Sequence, residues 1–304
     1  MKNSHLSTPW LGFPQGYLSD WITQRWVQFT GRYIKPEQEA WLIGPMGKPT
    51  EIGKNFFHEF ADDADLEIDA SSPDRGLVQD FHALSGPGFD ANSVNANIID
   101  FYEHTSAYDL DVWAEWQAAF RPFGSLIALI FSRRLQQLNV PLSALDASHG
   151  MTSDIIQLVD KATKEVLYTA WVRQLKGSGN VLYAGSYSFC QPPQCSRLCV
   201  KVVFPLPNGN AVVIMKPKVH SDGSFSLTSA GDGFGEPGFY FVTRNADSST
   251  SARYVRAFRE VIRVYAAEDN AVRADHVLKL WGMPFLRLHY RLRKTGELAG
   301  RLDQ

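Results

Sequence analysis

Long apolar runs are missing from this chain. The greasiest segment, residues 125–131, falls far short of the roughly 20 residues that a membrane-spanning helix needs. The opening Met1-Lys2-Asn3-Ser4-His5, leading into Pro9 and Trp10, has no apolar core of a signal peptide. The expectation is a soluble, cytoplasmic protein. Cysteine is scarce: three residues, an odd number, suit a reducing compartment better than a disulfide scaffold. Excess charge is lacking too, since a net −2 gives no general electrostatic reason to expect nucleic acid. Low-complexity tracts and repeats are absent.

Complete catalytic motifs are also missing. Gly44-Pro45-Met46-Gly47-Lys48-Pro49 has a Gly-Lys pair, but the spacing is wrong for a phosphate loop and Pro49 stands where a hydroxyl would bind magnesium. Gly233-Phe234-Gly235-Glu236-Pro237-Gly238 fits a dinucleotide fingerprint by letter only, because strand-like Phe239-Tyr240-Phe241-Val242 follows where a helix is required. Cys190, Cys195 and Cys199 lack the paired knuckles of a zinc site, so they read as free thiols. No cofactor and no metal are expected.

Aromatic residues are abundant, at 12% of the chain. Large rings fill cores and line pockets for flat or greasy ligands. Charge is uneven as well. Residues 1–111 are acidic, and the tail from Arg253 carries Arg256, Arg259, Arg263, Arg287, Arg291 and Arg293. Such asymmetry marks either a polyanion site or two ends that face one another, and the second reading is preferred because the acidic arm supplies the partner.

From residue 154 to 243 the chain is a series of strand-like segments cut by turn signals. Segments 155–159, 165–175, 181–189, 198–204, 211–219, 224–228 and 238–243 read as strands. Pro207-Asn208-Gly209 and Ser221-Asp222-Gly223 are hairpin turns. Two more strands are expected at 272–280 and 285–293. Between them and the rest, Tyr254, Val255, Phe258, Val261, Ile262 and Tyr265 fall on one helical face and arginines on the other, which predicts an amphipathic helix over 253–266. The region 1–150 reads as mainly helical, with segments near 19–31, 52–60, 97–108, 110–120 and 125–138. The last, apolar around much of its circumference, also suits transient contact with a membrane surface. The predicted fold is α+β: a curved antiparallel sheet or partly closed barrel over about 152–293, the amphipathic helix packed on it, and a helical N-terminal region before it.

Candidate site residues follow from this frame. Asp100 and His104 share a helical face, with Glu103 beside them, as a general-base pair would. The bland alternative is an ordinary helix end. His276 lies on the apolar alternation of its strand with Ala274 and Leu278, either as a satisfied core residue or as a handle in a pocket. Tyr168, Trp171, Tyr183 and Phe239 are candidate pocket aromatics. Arg287 and His289 lie on a basic stripe opposite Leu286, Leu288, Tyr290 and Leu292, which is either a solvated face or a receiver for an anionic head group. Three functions compete. The first is a binding protein enclosing an apolar, lipid- or polyketide-like molecule. The second is an enzyme using a His–carboxylate pair for proton transfer in a cyclisation, isomerisation or hydrolysis. The third is a structural or partner-binding protein with a filled interior.

Overall fold

The computed structural model describes residues 18–48, 52–71, 73–117, 151–176, 179, 181–268 and 271–295. The expected helix at 125–138 lies outside them. In chain order the elements are α1 (Leu18–Thr30), β1 (Arg32–Ile34), α2 (Phe56–Asp63), β2 (Leu66–Ile68), α3 (Ala96–Glu103), β3 (Tyr108–Trp116) and β4 (Met151–Asp160). Then come β5 (Val166–Leu175), β6 (Val181–Cys190), β7 (Cys199–Leu206), β8 (Gly209–Val219) and β9 (Phe225–Thr228). The chain continues through β10 (Gly238–Arg244), β11 (Thr250–Tyr254), β12 (Phe258–Ala266), β13 (Val272–Leu280) and β14 (Met283–Lys294). Every strand pairing is antiparallel.

The sheet branches at β8. One edge of β8 pairs with β7, whereas the other pairs with β10 along its first half and β9 along its second. Two wings result. One holds β2 and β4–β8 with β10, β11 and β1; the other runs β9-β12-β13-β14-β3. They bend toward each other, so that Leu182 of β6 packs with Val112, Leu286 and Leu288 of the far wing. The sheet nevertheless remains open, with β2 and β3 as its two ends. The hairpin signals that shape it are where turn chemistry puts them. Gly223 takes φ 75° between β8 and β9, a left-handed conformation that glycine adopts without a Cβ clash.

Both faces of the first wing are covered. On its outside, Phe56, Phe57 and Ala61 of α2 pack on Ile156, Leu158, Ala170, Val172 and Ala184. Farther along, Leu42 packs against Val203, Val212, Ile214 and Tyr240. The inner face and the far wing share one core. Into it the segment 77–108 inserts Phe81, Phe89, Ile98, Phe101 and Tyr102, of which Phe81, Phe89 and Tyr102 meet the ring of Phe225 of β9. Fully burying one such side chain stabilises by about 1.5–3 kcal/mol.

Three expectations need correction. The amphipathic helix over 253–266 is instead the end of β11, a turn, and β12. Its apolar spacing fits a helix, but the segment is rich in aromatic and β-branched residues, and β9 and β13 pair with both its edges. The helix expected at 110–120 is β3, in which Leu110, Val112 and Ala114 alternate with Asp109, Asp111 and Glu115. The described part of the N-terminal region is not mainly helical: α1, α2 and α3 are short, and β1, β2 and β3 join the sheet. The helix that does support the interior is α3, whose Ile98, Phe101 and Tyr102 are buried.

The charge asymmetry resolves along β3 and β14. Register places Arg287 opposite Glu115, Arg291 opposite Asp111 and Arg293 opposite Asp109. Arg293 Nη2 also reaches Asp111 Oδ2 at 3.1 Å. The basic stripe therefore lies against an acidic one on the outer face.

Candidate functional site

Between the wings lies a cavity of about 370 Å³. Strand parity builds it: Val202 and Phe204 of β7, Val213 and Met215 of β8, Ile262 and Val264 of β12, and Leu286 and Leu288 of β14 all point inward. Phe101 and Tyr102 of α3 also line it. Gly185 holds space open on β6, since a Cβ there would stand 3.0 Å from the Tyr183 hydroxyl and 3.1 Å from the Phe204 ring.

Few polar groups interrupt this apolar wall. On the far wing, His276 Nε2 and Glu260 Oε2 are 2.7 Å apart. Glu260 sits opposite Leu278 and Ile262 opposite His276, so the pair is a diagonal contact across β12 and β13. Both side chains are largely buried, at 15% and 9% exposure. On the near wing, the hydroxyls of Tyr183 and Tyr187 are 2.9 Å apart. Burial pushes the Tyr187 phenol up to about 12 and raises Tyr183 and Tyr290 as well, so all three hydroxyls stay neutral at physiological pH.

Arg173 of β5 is the most unusual of these groups. It lines the cavity and is only 4% exposed. Its guanidinium lies 4.3 Å from the centroids of both Trp171 and Tyr183 and 5.6 Å from Tyr290 across the interior. Its positive charge works against the burial that raises the Tyr290 phenol. Nε and Nη1 have no partner among the described residues. Each cation–π contact contributes about 0.5–2 kcal/mol, whereas withdrawing a charge from water costs several kcal/mol. The rings offset that cost only in part.

Of the residues singled out in the sequence, Trp171, Tyr183, Phe239 and His276 line the cavity. Tyr168 does not. It lies on the opposite face of β5, its ring 6.0 Å from Phe60 beneath α2, because it has the parity of Ala170 and Val172. Arg287 and His289 are on the outer face of β14, where His289 Nδ1 meets Asp275 Oδ1 at 2.7 Å.

The α3 cluster lies apart from the cavity lining. His104 Nδ1 is 2.9 Å from Asp74 and its Nε2 is 4.0 Å from Asp100. Glu103 Oε1 accepts the Phe81 amide at 2.7 Å and so anchors the inserted segment. Burial raises the Asp100 carboxyl, but bonds from the Tyr108 hydroxyl at 2.5 Å and Lys294 at 2.9 Å bring it below its usual value overall. These contacts tie α3 to β3 and β14. Cys195 Sγ and Cys199 Sγ are 3.7 Å apart, and burial pushes the Cys190 thiol up to about 12. Among the described residues no group of three His, Cys, Asp or Glu is arranged to hold a metal.

Sequence reading passed over Arg173, Tyr187, Glu260 and Tyr290 as site residues. Arg173 did share its strand face with Trp171, which was the available signal. Glu260 was hidden by the helical interpretation of 253–266.

In sequence the chain is similar to a Bacillus subtilis (strain 168) protein named as the uncharacterized membrane protein YndJ. The two are 26% identical over 244 residues, 80% of this chain and 41% of the relative. The chain thus spans about two fifths of that protein's length. No family model and no solved structure matches it. Among the described residues, no helix is long and apolar enough to cross a membrane.

Proposed function

We propose that the protein binds a mainly apolar small molecule, of lipid- or polyketide-like character, between the two wings of its sheet. The observation that carries this reading is the cavity of about 370 Å³ with its aliphatic and aromatic lining. Ligand pockets span about 300–1,000 Å³ and combine such walls with a few polar groups that orient the ligand. Native mass spectrometry of the purified chain, together with titration of a neutral apolar fluorescent probe, tests the proposal. A co-purified apolar molecule, or probe binding near one to one, is expected. An empty protein that also ignores the probe would refute it.

The buried His276–Glu260 pair favours a second reading, proton transfer on the bound molecule. The carboxylate fixes one ring nitrogen, leaving the other as the acid or base. Among the described lining residues there is no Ser, Cys, Thr or Lys, and the carboxylate of Glu260 is engaged by His276, which leaves proton transfer as the chemistry this wall offers most directly. Isomerisation or cyclisation therefore fits better than hydrolysis through a covalent intermediate. Turnover of an identified ligand that disappears in His276→Gln, with binding retained, would establish this reading over simple binding.

A further inference from the structure

We infer that the ligand of this cavity carries a single carboxylate, held by Arg173, and so belongs to the class of long-chain monocarboxylic acids. The inference rests on the proposal that the cavity is a ligand site. Arg173 is a permanent cation, 4% exposed, in a mainly apolar wall. Its one N–H on Nε and two on Nη1 meet no partner among the described residues. Trp171 and Tyr183 attract the cation through their ring faces, but a ring face is a poor substitute for a hydrogen-bond acceptor. Glu260 does not supply that acceptor, because it is held by His276 and the Arg173 nitrogens in question remain unmet.

A bound oxyanion completes the arrangement. The guanidinium donates to it in a charge-assisted bond, and the neutral hydroxyls of Tyr183, Tyr187 and Tyr290 stand around the same cation. One negative charge suits the site better than two. Glu260 acts electrostatically on both Tyr187 and Tyr290, so it lies close enough to penalise a dianion, and Arg173 is the one permanent cation among the described lining residues. Beyond this polar cluster, residues such as Leu286, Leu288, Ile262 and Phe258 offer a wall for a hydrocarbon chain.

Isothermal titration of the full chain, freed of co-purified lipid on a hydrophobic resin, compares dodecanoate, dodecan-1-ol and dodecyl phosphate. Dodecanoate should bind about tenfold or more tightly than the alcohol, the expected signature of a charge-assisted bond. Arg173→Gln should erase that preference while leaving alcohol affinity within about threefold. Arg173→Lys, which keeps the charge, should retain part of it. Equal binding of acid and alcohol by the unaltered chain would overturn the inference while leaving the apolar-ligand proposal standing. Tighter binding of dodecyl phosphate would replace the carboxylate by a phosphate head group. Failure of all three to bind would remove the cavity reading and the inference together. Should Arg173→Gln fail to fold, the acid-to-alcohol ratio of the unaltered chain still decides.

Discussion

The interior between the wings is packed at one place and hollow at another. Around Phe225 the rings of Phe81, Phe89 and Tyr102 lie at 5.1, 5.7 and 5.5 Å between centroids, and Phe225 and Phe81 are fully buried. The neighbouring stretch, lined by the same strands, leaves about 370 Å³ open and places an arginine, a glutamate and a histidine on its wall. The difference lies in what fills the space. The segment 77–108 fills the first region with side chains, whereas in the second it adds Leu77, Phe101 and Tyr102 to a wall built mostly by the two wings. Stability therefore belongs to the packed region, and specificity to the hollow one.

The largest expected effect follows from the packed region. Phe225→Ala should cost about 3–5 kcal/mol in urea unfolding, as aromatic truncations in dense cores do. A loss below about 1 kcal/mol would mean that this region is as loose as its neighbour. His276→Gln, in the hollow region, should cost about 1–3 kcal/mol if the ring serves only Glu260. If it also orients a ligand, probe binding or turnover should fall as well. A destabilised protein with unchanged binding would confine His276 to a structural role.

Ala274→Leu sharpens the contrast further. Ala274 faces the cavity between wing strands. In a filled core the added bulk would cost about 1–3 kcal/mol. Here the expected change is within about 0.5 kcal/mol by thermal melt, accompanied by loss of apolar-probe binding, because the side chain enters open space. A severe drop in melting temperature would show that the void is not really available.

The smallest effect concerns the outer face. His289 and Asp275 meet at 2.7 Å like His276 and Glu260, yet their exposure is 38% and 40% against 15% and 9%. Water screens the outer pair, so Asp275→Asn should change stability by less than about 0.5 kcal/mol. It should leave ligand binding unaltered. An effect as large as that of His276→Gln would mean that burial does not separate the two pairs.

Much of this was legible in the sequence, and the reason is local. Alternation and turn residues locate the strands within 155–243 and 272–293 because a strand's facing has a period of two and hairpin turns need particular backbone conformations. The same parity places His276 inward with Ala274, and Arg287 and His289 outward. It also allows the acidic stretch before residue 116 to meet the basic tail. Tertiary structure alone decided the rest. Residues 258–266 form a strand because β9 and β13 pair with both edges, which no local spacing reveals. Tyr168 and Trp171 sit on strand faces that both carry apolar mass, and only α2 on one side and the opposite wing on the other distinguish outside from inside. Arg173 meets Tyr290, and Glu260 meets His276, through contacts between strands distant or newly paired in the chain. Such contacts depend on register and on the bending of two wings, which arise from the summed packing of the whole sheet rather than from any one segment.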